Sequence, residues 1–305
     1  MTLLFSHDDA ARHETPGGHP EQVARYHAVI RALVGLALDW RDAPLCRDAD
    51  LLRCHPARYL ARISAQTPAQ GHAMLDADTH LSPGSESAAR RAVGGAIAAV
   101  DAVLDGASRT AFVAMRPPGH HAEAEVPMGF CLFGTVAIAA KHALDGRGLS
   151  RVAVLDFDVH HGNGTQALLW DEARALFVSS HQSPLWPGSG AAHETGAHDN
   201  VMNLPLPPGS DGALARAEWD LALARVAEFR PELVLISAGF DAHRDDPLAS
   251  LDWEDADFAA LTDAICAVAR DCRAPVVSCL EGGYDLDALG RSVRAHVESL
   301  MRMDG

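Results

Sequence analysis

Short apolar runs, rich in β-branched residues, alternate along this chain with amphipathic stretches of helical period. The runs at Thr2–Phe5, Ala111–Met115, Val152–Asp158, Leu176–Ser180, Leu233–Ser237 and Pro275–Leu280 are nearly continuous in apolar residues. That is the pattern of parallel strands covered on both faces. Between them, Pro20–Val34, Ser85–Leu104, Thr135–Leu144, Asp211–Phe229, Glu254–Arg270 and Leu286–Met301 carry helical patterns, and Pro20 suits a first helical turn. The alternation predicts βαβ units. The fold class is therefore α/β, a central and mainly parallel sheet with helices on both faces, three layers in all. Asp199–Asp211, with its prolines and glycine, reads as a loop. No repeat, low-complexity tract or linker interrupts the chain, so its 305 residues read as one domain, 1–305.

In such sheets ligands gather at the carboxyl ends of the strands. Four polar segments fall at that edge: RPPGHHA (Arg116–Ala122), DFDVHHGNG within Leu155–Gln166, SAGFDAHRDDP after Leu233, and EGGYD after Pro275. The second is the densest in chemistry. Asp156, Asp158 and His160 recur at intervals of two. At a strand end leading into a loop, a carboxylate and an imidazole at that spacing converge on one side. Carboxylate oxygen with imidazole nitrogen suits zinc or another first-row divalent metal. Asp241, just past a strand, is the expected third ligand, and three protein ligands leave the open position of a catalytic site. His243 and Asp245 are weaker ligand candidates.

The pair His120–His121 follows a Pro-Pro-Gly turn that fixes where the rings point. One of two adjacent histidines near a metal takes a proton and hands it to a leaving amine, while the other stays as an electrostatic partner. Their orientation calls for acceptors behind them, and Asp156 and Asn163 are the candidates. Tyr284, after Gly282-Gly283, is placed to donate to a carbonyl oxygen as it becomes an oxyanion.

Charge narrows the partner. With 41 acidic against 25 basic residues the formal net charge is −16, which excludes the basic footprint of a nucleic-acid binder and suits a cationic substrate. The six cysteines include no CxxC pair, so they read as small buried hydrophobes in a reducing cytoplasm. The start MTLLFSHDDAARHE lacks the pattern of a signal peptide, and no apolar stretch reaches the length of a membrane span. No membrane partner is expected; a homo-oligomer is compatible with the sequence.

Taken together, RPPGHHA, GFCLF, DFDVHHGNGTQ, SAGFDAHRDDPL and EGGY resemble the histone deacetylase superfamily, in order and rough spacing. HPEQVAR (His19–Arg25) and DADTHLSPGS (Asp76–Ser85) match as well, so the resemblance spans nearly the whole chain. The HHGNG form, with Asn163, is similar to the class II branch and to bacterial acetylpolyamine amidohydrolases.

The resemblance implies an arginase-like fold and zinc-dependent removal of acetyl from an amine. It assigns one zinc per chain to Asp158, His160 and Asp241, a set that would also accept iron(II). It makes His121 the general acid–base with Asn163 behind it, His120 the electrostatic partner with Asp156 behind it, and Tyr284 the oxyanion donor. Gly129 and Phe130 match one wall of an acyl-lysine tunnel, Trp186 the other, with Leu248 and Gly283 alongside. Asp156, Ser179 and the backbones of Asp158, His160 and Ser180 match a structural potassium site.

Three positions depart from the family pattern. Gly134-Thr135 stands after GFCLF where asparagine is common, an effect on local packing. Trp186 replaces the more usual phenylalanine and narrows the tunnel. Leu248 stands where polyamine-selective eukaryotic members carry glutamate, which favours acetyl-lysine over an acetylpolyamine. An arginase-like ureohydrolase with two manganese ions would need a longer ladder of Asp and His ligands, and a non-catalytic acyl-amine-binding module would not need the full set of reactive side chains.

Overall fold

The computed structural model describes residues 1–304. Its strands are β1 (Leu3–Ser6), β2 (Asp39–Asp42), β3 (Ala73–Met74), β4 (His80–Leu81), β5 (Thr110–Val113), β6 (Val152–Asp156), β7 (Ala175–Gln182), β8 (Val201–Leu206), β9 (Leu233–Ala238) and β10 (Val276–Leu280). Its α-helices are α1 (Val23–Leu33), α2 (Asp48–Leu51), α3 (Ala57–Gln66), α4 (Ser85–Leu104), α5 (Thr135–Lys141), α6 (Asn163–Leu169), α7 (Gly212–Phe229), α8 (Asp255–Cys272) and α9 (Leu286–Asp304). Eight strands form one sheet in the order β2-β1-β5-β10-β9-β6-β7-β8. Every pairing in it is parallel. β3 and β4 make a separate two-stranded antiparallel ribbon.

Strand alternation divides the core between the two faces. Leu4, Ala153 and Leu155 point to the side where Trp219 of α7, Phe258 and Leu261 of α8 and Val293 of α9 are buried. Leu3, Phe5, Val152 and Val154 point to the other side, onto Ala92 and Ala96 of α4, Val136 of α5 and Leu169 of α6. Each central strand is thus apolar on both faces, which is why these runs carry no polar alternation. A smaller cluster packs Tyr59, Leu60 and Ile63 of α3 against Leu132 and Phe133. α7 starts at Asp211, whose carboxylate accepts from the amides of Ala213 and Leu214, and α8 starts with a capping box between Glu254 and Asp257.

Some sequence expectations are corrected. Val201–Leu206, inside the segment read as a loop, is the edge strand β8; its proline, Pro205, is exposed, as an edge strand tolerates. The other edge, β2, alternates half-buried and exposed residues and carries two aspartates and an arginine, so it has no apolar run. α1 starts at Val23 with Gln22 as its cap, leaving Pro20 ahead of the helix. β6 stops at Asp156, so Asp158 and His160 converge from a loop rather than along a strand face. No helix among the described residues is long and apolar enough to cross a membrane.

Candidate active site

The four neighbouring strands β5, β10, β9 and β6 at the centre of the sheet release the four polar segments at one edge. The loop after β6 places Asp158 and His160 against Asp241, which follows β9. His160 Nδ1 lies 3.2 Å from Asp158 Oδ1 and 3.1 Å from Asp241 Oδ2. The candidate ligand atoms of the three residues all fall within 4.8 Å of one another. Backbone amides hold the carboxylates: Gly282 N–H donates to Asp158 Oδ2 at 2.8 Å and Val159 N–H to Asp241 Oδ1 at 2.9 Å. Gly282 is required there, because a Cβ on it would run into both aspartates.

The rings of His120 and His121 lie with centroids 3.8 Å apart, tilted by 43° to one another. His120 Nδ1 meets Asp156 Oδ2 at 3.0 Å, and its Nε2 lies 3.7 Å from Asp158 Oδ1. His121 Nδ1 meets Asn163 Oδ1 at 2.8 Å, and the Asn163 amide group donates onward to Glu123 at 2.9 Å. Both histidines are buried.

Without a metal, the charges of this cluster are in conflict. Burial opposes ionisation of His160, but hydrogen bonds to Asp158 and Asp241 outweigh it and push its pKa up to about 10. Burial and the Asp158 charge raise the Asp241 carboxyl, while the His120 charge and the hydrogen bond from His160 overcome burial and draw Asp158 down. Burial is likewise overcome at His120, which Asp158 and Asp156 hold well above the usual imidazole value. His121 goes the other way, lowered by burial and by its charged neighbours His120 and His160. Burial lifts Asp156 to about 6 and Tyr284 well above a free phenol.

This donor set fits a divalent cation. Two carboxylates and an imidazole, all buried, face one point, and a proton on His160 bridges them. With that proton displaced, three carboxylates (Asp156, Asp158, Asp241) against one imidazolium (His120) leave two negative charges for a metal to balance. It is also the one such His/Cys/Asp/Glu group among the described residues. His243 points elsewhere, with Nε2 3.3 Å from Asp255, and Asp245 sits with His243 and Arg291 in a surface cleft.

Beside the cluster lies a cavity of about 320 Å³. His121 and His160 form part of its lining, with Gly129, Phe130, Trp186, Leu248 and Tyr284. Phe130 and Tyr284 meet edge to face at 5.7 Å, and Trp186 meets His121 at 4.7 Å. Gly129 and Phe130 both have left-handed φ, +54° and +68°. A Cβ on Gly129 would strike the rings of His121 and Trp186, so only glycine fits between them. Gly283 does not line the cavity: its carbonyl turns away to accept from Arg25 Nε at 2.6 Å. His19, Pro20, Ala77, Asp78 and Leu185 complete the wall, and Asp78 is its one carboxylate.

Farther along β6 and β7, Asp156 and Ser179 are register partners, both fully buried. The Ser180 hydroxyl is taken up by Trp219, whose Nε1–H donates to it at 3.1 Å.

Several residues at the site had no assigned part in the sequence reading. Glu21, Arg25 and Arg116 form a buried ionic cluster behind Tyr284, with Arg25 lying 4.8 Å over the Tyr284 ring. Asp246 Oδ2 accepts from Tyr284 N–H at 2.6 Å, and its Oδ1 accepts from Leu248 N–H at 3.0 Å. Glu281 accepts from the tandem-histidine turn. The HPEQVAR segment gave a signal for Glu21 and Arg25, four residues apart on the approach to a helix; Glu281 and Asp246 bond backbone amides, which leave no trace in the sequence.

Residues 19–300 match the family model described as the histone deacetylase domain. The chain belongs to this family. It is 42% identical over 253 residues to the histone deacetylase-like amidohydrolase of Pseudomonas aeruginosa, covering 81% of this chain and 66% of that one. It is 39% identical over 310 residues to a probable deacetylase of Methanothermobacter thermautotrophicus, covering 98% and 90% of the two chains. The fold superposes on the crystal structure of an acetylpolyamine aminohydrolase from Burkholderia pseudomallei with a TM-score of 0.89, at 28% identity and full coverage of both chains. As a member of the histone deacetylase family it is a hydrolytic deacetylase or amidohydrolase, and the arginase-like three-layer architecture expected from the sequence is the one observed.

Proposed function

We propose that the chain is a zinc-dependent deacetylase acting on acetyl-lysine in peptides or proteins. The observation that carries this reading is the narrow cavity between Phe130 and Trp186 with His121, His160 and Tyr284 in its lining, the first two belonging to the histidine pair and to the carboxylate–imidazole cluster. Asp158, His160 and Asp241 would hold one metal, zinc or iron(II), which when bound supplies a Lewis acid for the amide carbonyl and acidifies water.

The protein's own groups do the rest. Asn163 Oδ1 accepts the Nδ1–H of His121, which leaves Nε2 free as a base. His121 takes the proton of the attacking water there and returns it to the amine as the C–N bond breaks, giving acetate and free amine. Tyr284 donates its hydroxyl hydrogen bond to the carbonyl oxygen as negative charge builds on it. His120, bonded to Asp156, keeps a positive charge beside the reacting centre. Phe130 and Trp186 hold the aliphatic stem of the substrate and exclude water.

Leu248 on the cavity wall suits the aliphatic stem of acetyl-lysine, whose acetylated nitrogen carries no charge, and offers no carboxylate to the free ammonium of an acetylpolyamine. The second reading, an acetylpolyamine, is favoured by Asp78, the lone carboxylate on that wall, and by the likeness to the Burkholderia enzyme. The proposal extends to a potassium ion held by Asp156, Ser179 and the backbones of Asp158, His160 and Ser180, and to a cytoplasmic setting, where six unpaired thiols are at home.

The test is paired. Metal content of the purified chain is measured together with hydrolysis of an acetyl-lysine peptide and of acetylputrescine, with and without chelator. One zinc per chain and chelator-sensitive release of acetate from the peptide are expected. Turnover of acetylputrescine alone would move the substrate to polyamines, and two metals per chain would overturn the mononuclear site.

A further inference from the structure

The turn that carries both histidines ends no strand and starts no helix, so its backbone must be held by something outside regular structure. Arg116 anchors its entry through Glu21, with Nε 2.7 Å from Oε1. Its exit is anchored by Thr165 N–H, which donates to the carbonyl of His120 at 3.0 Å. In the middle, the amides of Gly119 and His120 point into the protein, and no backbone carbonyl among the described residues takes either. Both meet the same oxygen: Glu281 Oε2 lies 2.6 Å from Gly119 N and 3.2 Å from His120 N. The second carboxylate oxygen lies 3.4 Å from Ser237 Oγ.

Glu281 is itself clamped. Its amide donates to Ala238 O at 2.9 Å, at the end of β9, and its carbonyl accepts from Arg25 Nη2 at 2.6 Å. The next residue but two is Tyr284. One side chain therefore joins the tandem-histidine turn to the segment bearing the tyrosine, across the β10 end that separates them.

We infer that Glu281 is a positioning residue, which by accepting the amides of Gly119 and His120 sets the rings of His120 and His121 in register with Asp156, Asn163 and Tyr284. This rests on the deacetylase reading above and deepens it. The argument turns on hydrogen-bond capacity. A buried amide left without an acceptor is expensive, and a turn that loses two acceptors shifts until it finds others. The ring of His120 would then leave Asp156, and the adjoining ring of His121, 3.8 Å away between centroids, would move with it. Displacements on the ångström scale at a reacting group are felt in rate.

Two substitutions separate positioning from bulk structure. Glu281→Gln keeps an oxygen for both amides and turns its amide group towards the Ser237 hydroxyl, which accepts as readily as it donates. Glu281→Ala removes the acceptor. On the zinc-loaded enzyme with an acetyl-lysine peptide, the alanine variant should keep its zinc and its KM while kcat falls about 10–100-fold, the usual scale for groups that orient reacting residues. The glutamine variant should recover kcat to within a few-fold of the parent. A merely structural role would lower thermal stability and leave kcat per zinc alone.

The inference is overturned if the alanine variant retains the parental kcat, if only KM moves, or if glutamine loses as much as alanine. Should the alanine variant fail to fold, a glutamine variant slowed about tenfold or more overturns it, and one near the parent supports it. A second readout needs no substrate: the proton resonance of the His120–Asp156 hydrogen bond in the zinc-loaded protein. It should persist in the glutamine variant and shift or vanish in the alanine variant. A parent that binds zinc yet cleaves neither peptide nor acetylputrescine would sink the deacetylase reading, and this resonance would still decide the inference.

Discussion

Two buried clusters of charge sit side by side in this protein, and they are balanced in opposite ways. In the first, Glu21 lies between Arg25 and Arg116, all three side chains fully buried. Its carboxyl stays well below the usual range because the Arg116 charge and the bond from His13 outweigh burial. The surplus positive charge is spread over the carbonyls of Ala10, His13, Glu281 and Gly283 and over the Tyr284 ring. In the second, Asp156, Asp158 and Asp241 crowd against His120 and His160, and burial with mutual repulsion forces the Asp241 carboxyl upwards. The first cluster is complete as the chain folds. The second gathers donors whose excess negative charge a cation would balance. A buried charge network that is satisfied by its own members is architecture, whereas one left short of charge marks a site.

The comparison can be broken at several points, beginning with the largest effect. Asp241→Asn should abolish zinc binding and with it activity, as read by metal analysis and acetate release, yet the metal-free protein should melt no lower than the metal-free parent, because one of two facing carboxylates is gone. A lower melting point would show that Asp241 is architecture too. Tyr284→Phe leaves both clusters intact and should reduce kcat about 10²–10³-fold with zinc retained; a near-parental kcat would remove the hydroxyl from the reaction. Glu21→Gln attacks the balanced cluster and should cost about 3–5 kcal/mol of stability in denaturant titration, since it strands two buried guanidinium groups. An unchanged midpoint would mean that the carbonyls alone suffice.

The last effect is confined to acid pH and concerns a buried group with no charged partner. His296 sits between Thr262 Oγ1 and Ser278 Oγ at 2.7 and 2.8 Å, and burial lowers its pKa to about 3. The unfolded chain binds this proton near pH 6.5 and the folded chain does not. Its stabilising contribution is therefore whole above pH 6.5 and is lost as pH falls towards 3, by at most about 1.4 kcal/mol per pH unit. Replacing it with Gln should flatten that part of the stability profile measured by chemical denaturation. An identical slope in the variant would assign the acid sensitivity to the carboxylate cluster alone.

The central sheet could be read from the sequence because β1, β5, β6, β7, β9 and β10 are covered on both sides, so their runs are nearly continuous in apolar residues. The edges could not: β2 reads DWRD and β8 contains Pro205, sequences permitted only where one side of the strand is open. The same division holds at the site. Asp158, His160, Asp241, His121 and Tyr284 carry reactive groups in a recognisable order, and the fold brings them to one place. Glu281, Asp246, Arg25 and Arg116 act on backbone amides, carbonyls and each other, and a residue's backbone partners are decided by tertiary geometry alone. Asp246, whose carboxyl burial pushes up to about 7, is spoken for by the amides of Leu248, two residues on, and of Tyr284 and Asp285, the last two far along the chain and not announced by its sequence neighbours.

The cavity walls have a different origin from its floor. Asp158, Asp241 and Tyr284 stand within a few residues of the ends of β6, β9 and β10, anchored in the sheet. Phe130, Trp186 and Leu248 lie farther out along the connections after β5, β7 and β9. The reacting groups thus stand near the strand ends and the residues that meet the guest stand farther along, His121 sharing one connection with Phe130 and Asp241 another with Leu248. Loops can be lengthened, exchanged or reshaped while the reacting groups stay in place, so relatives with one shared reaction are free to diverge in diet, and a designer wishing to retune this enzyme has three short segments to rewrite rather than a core to rebuild.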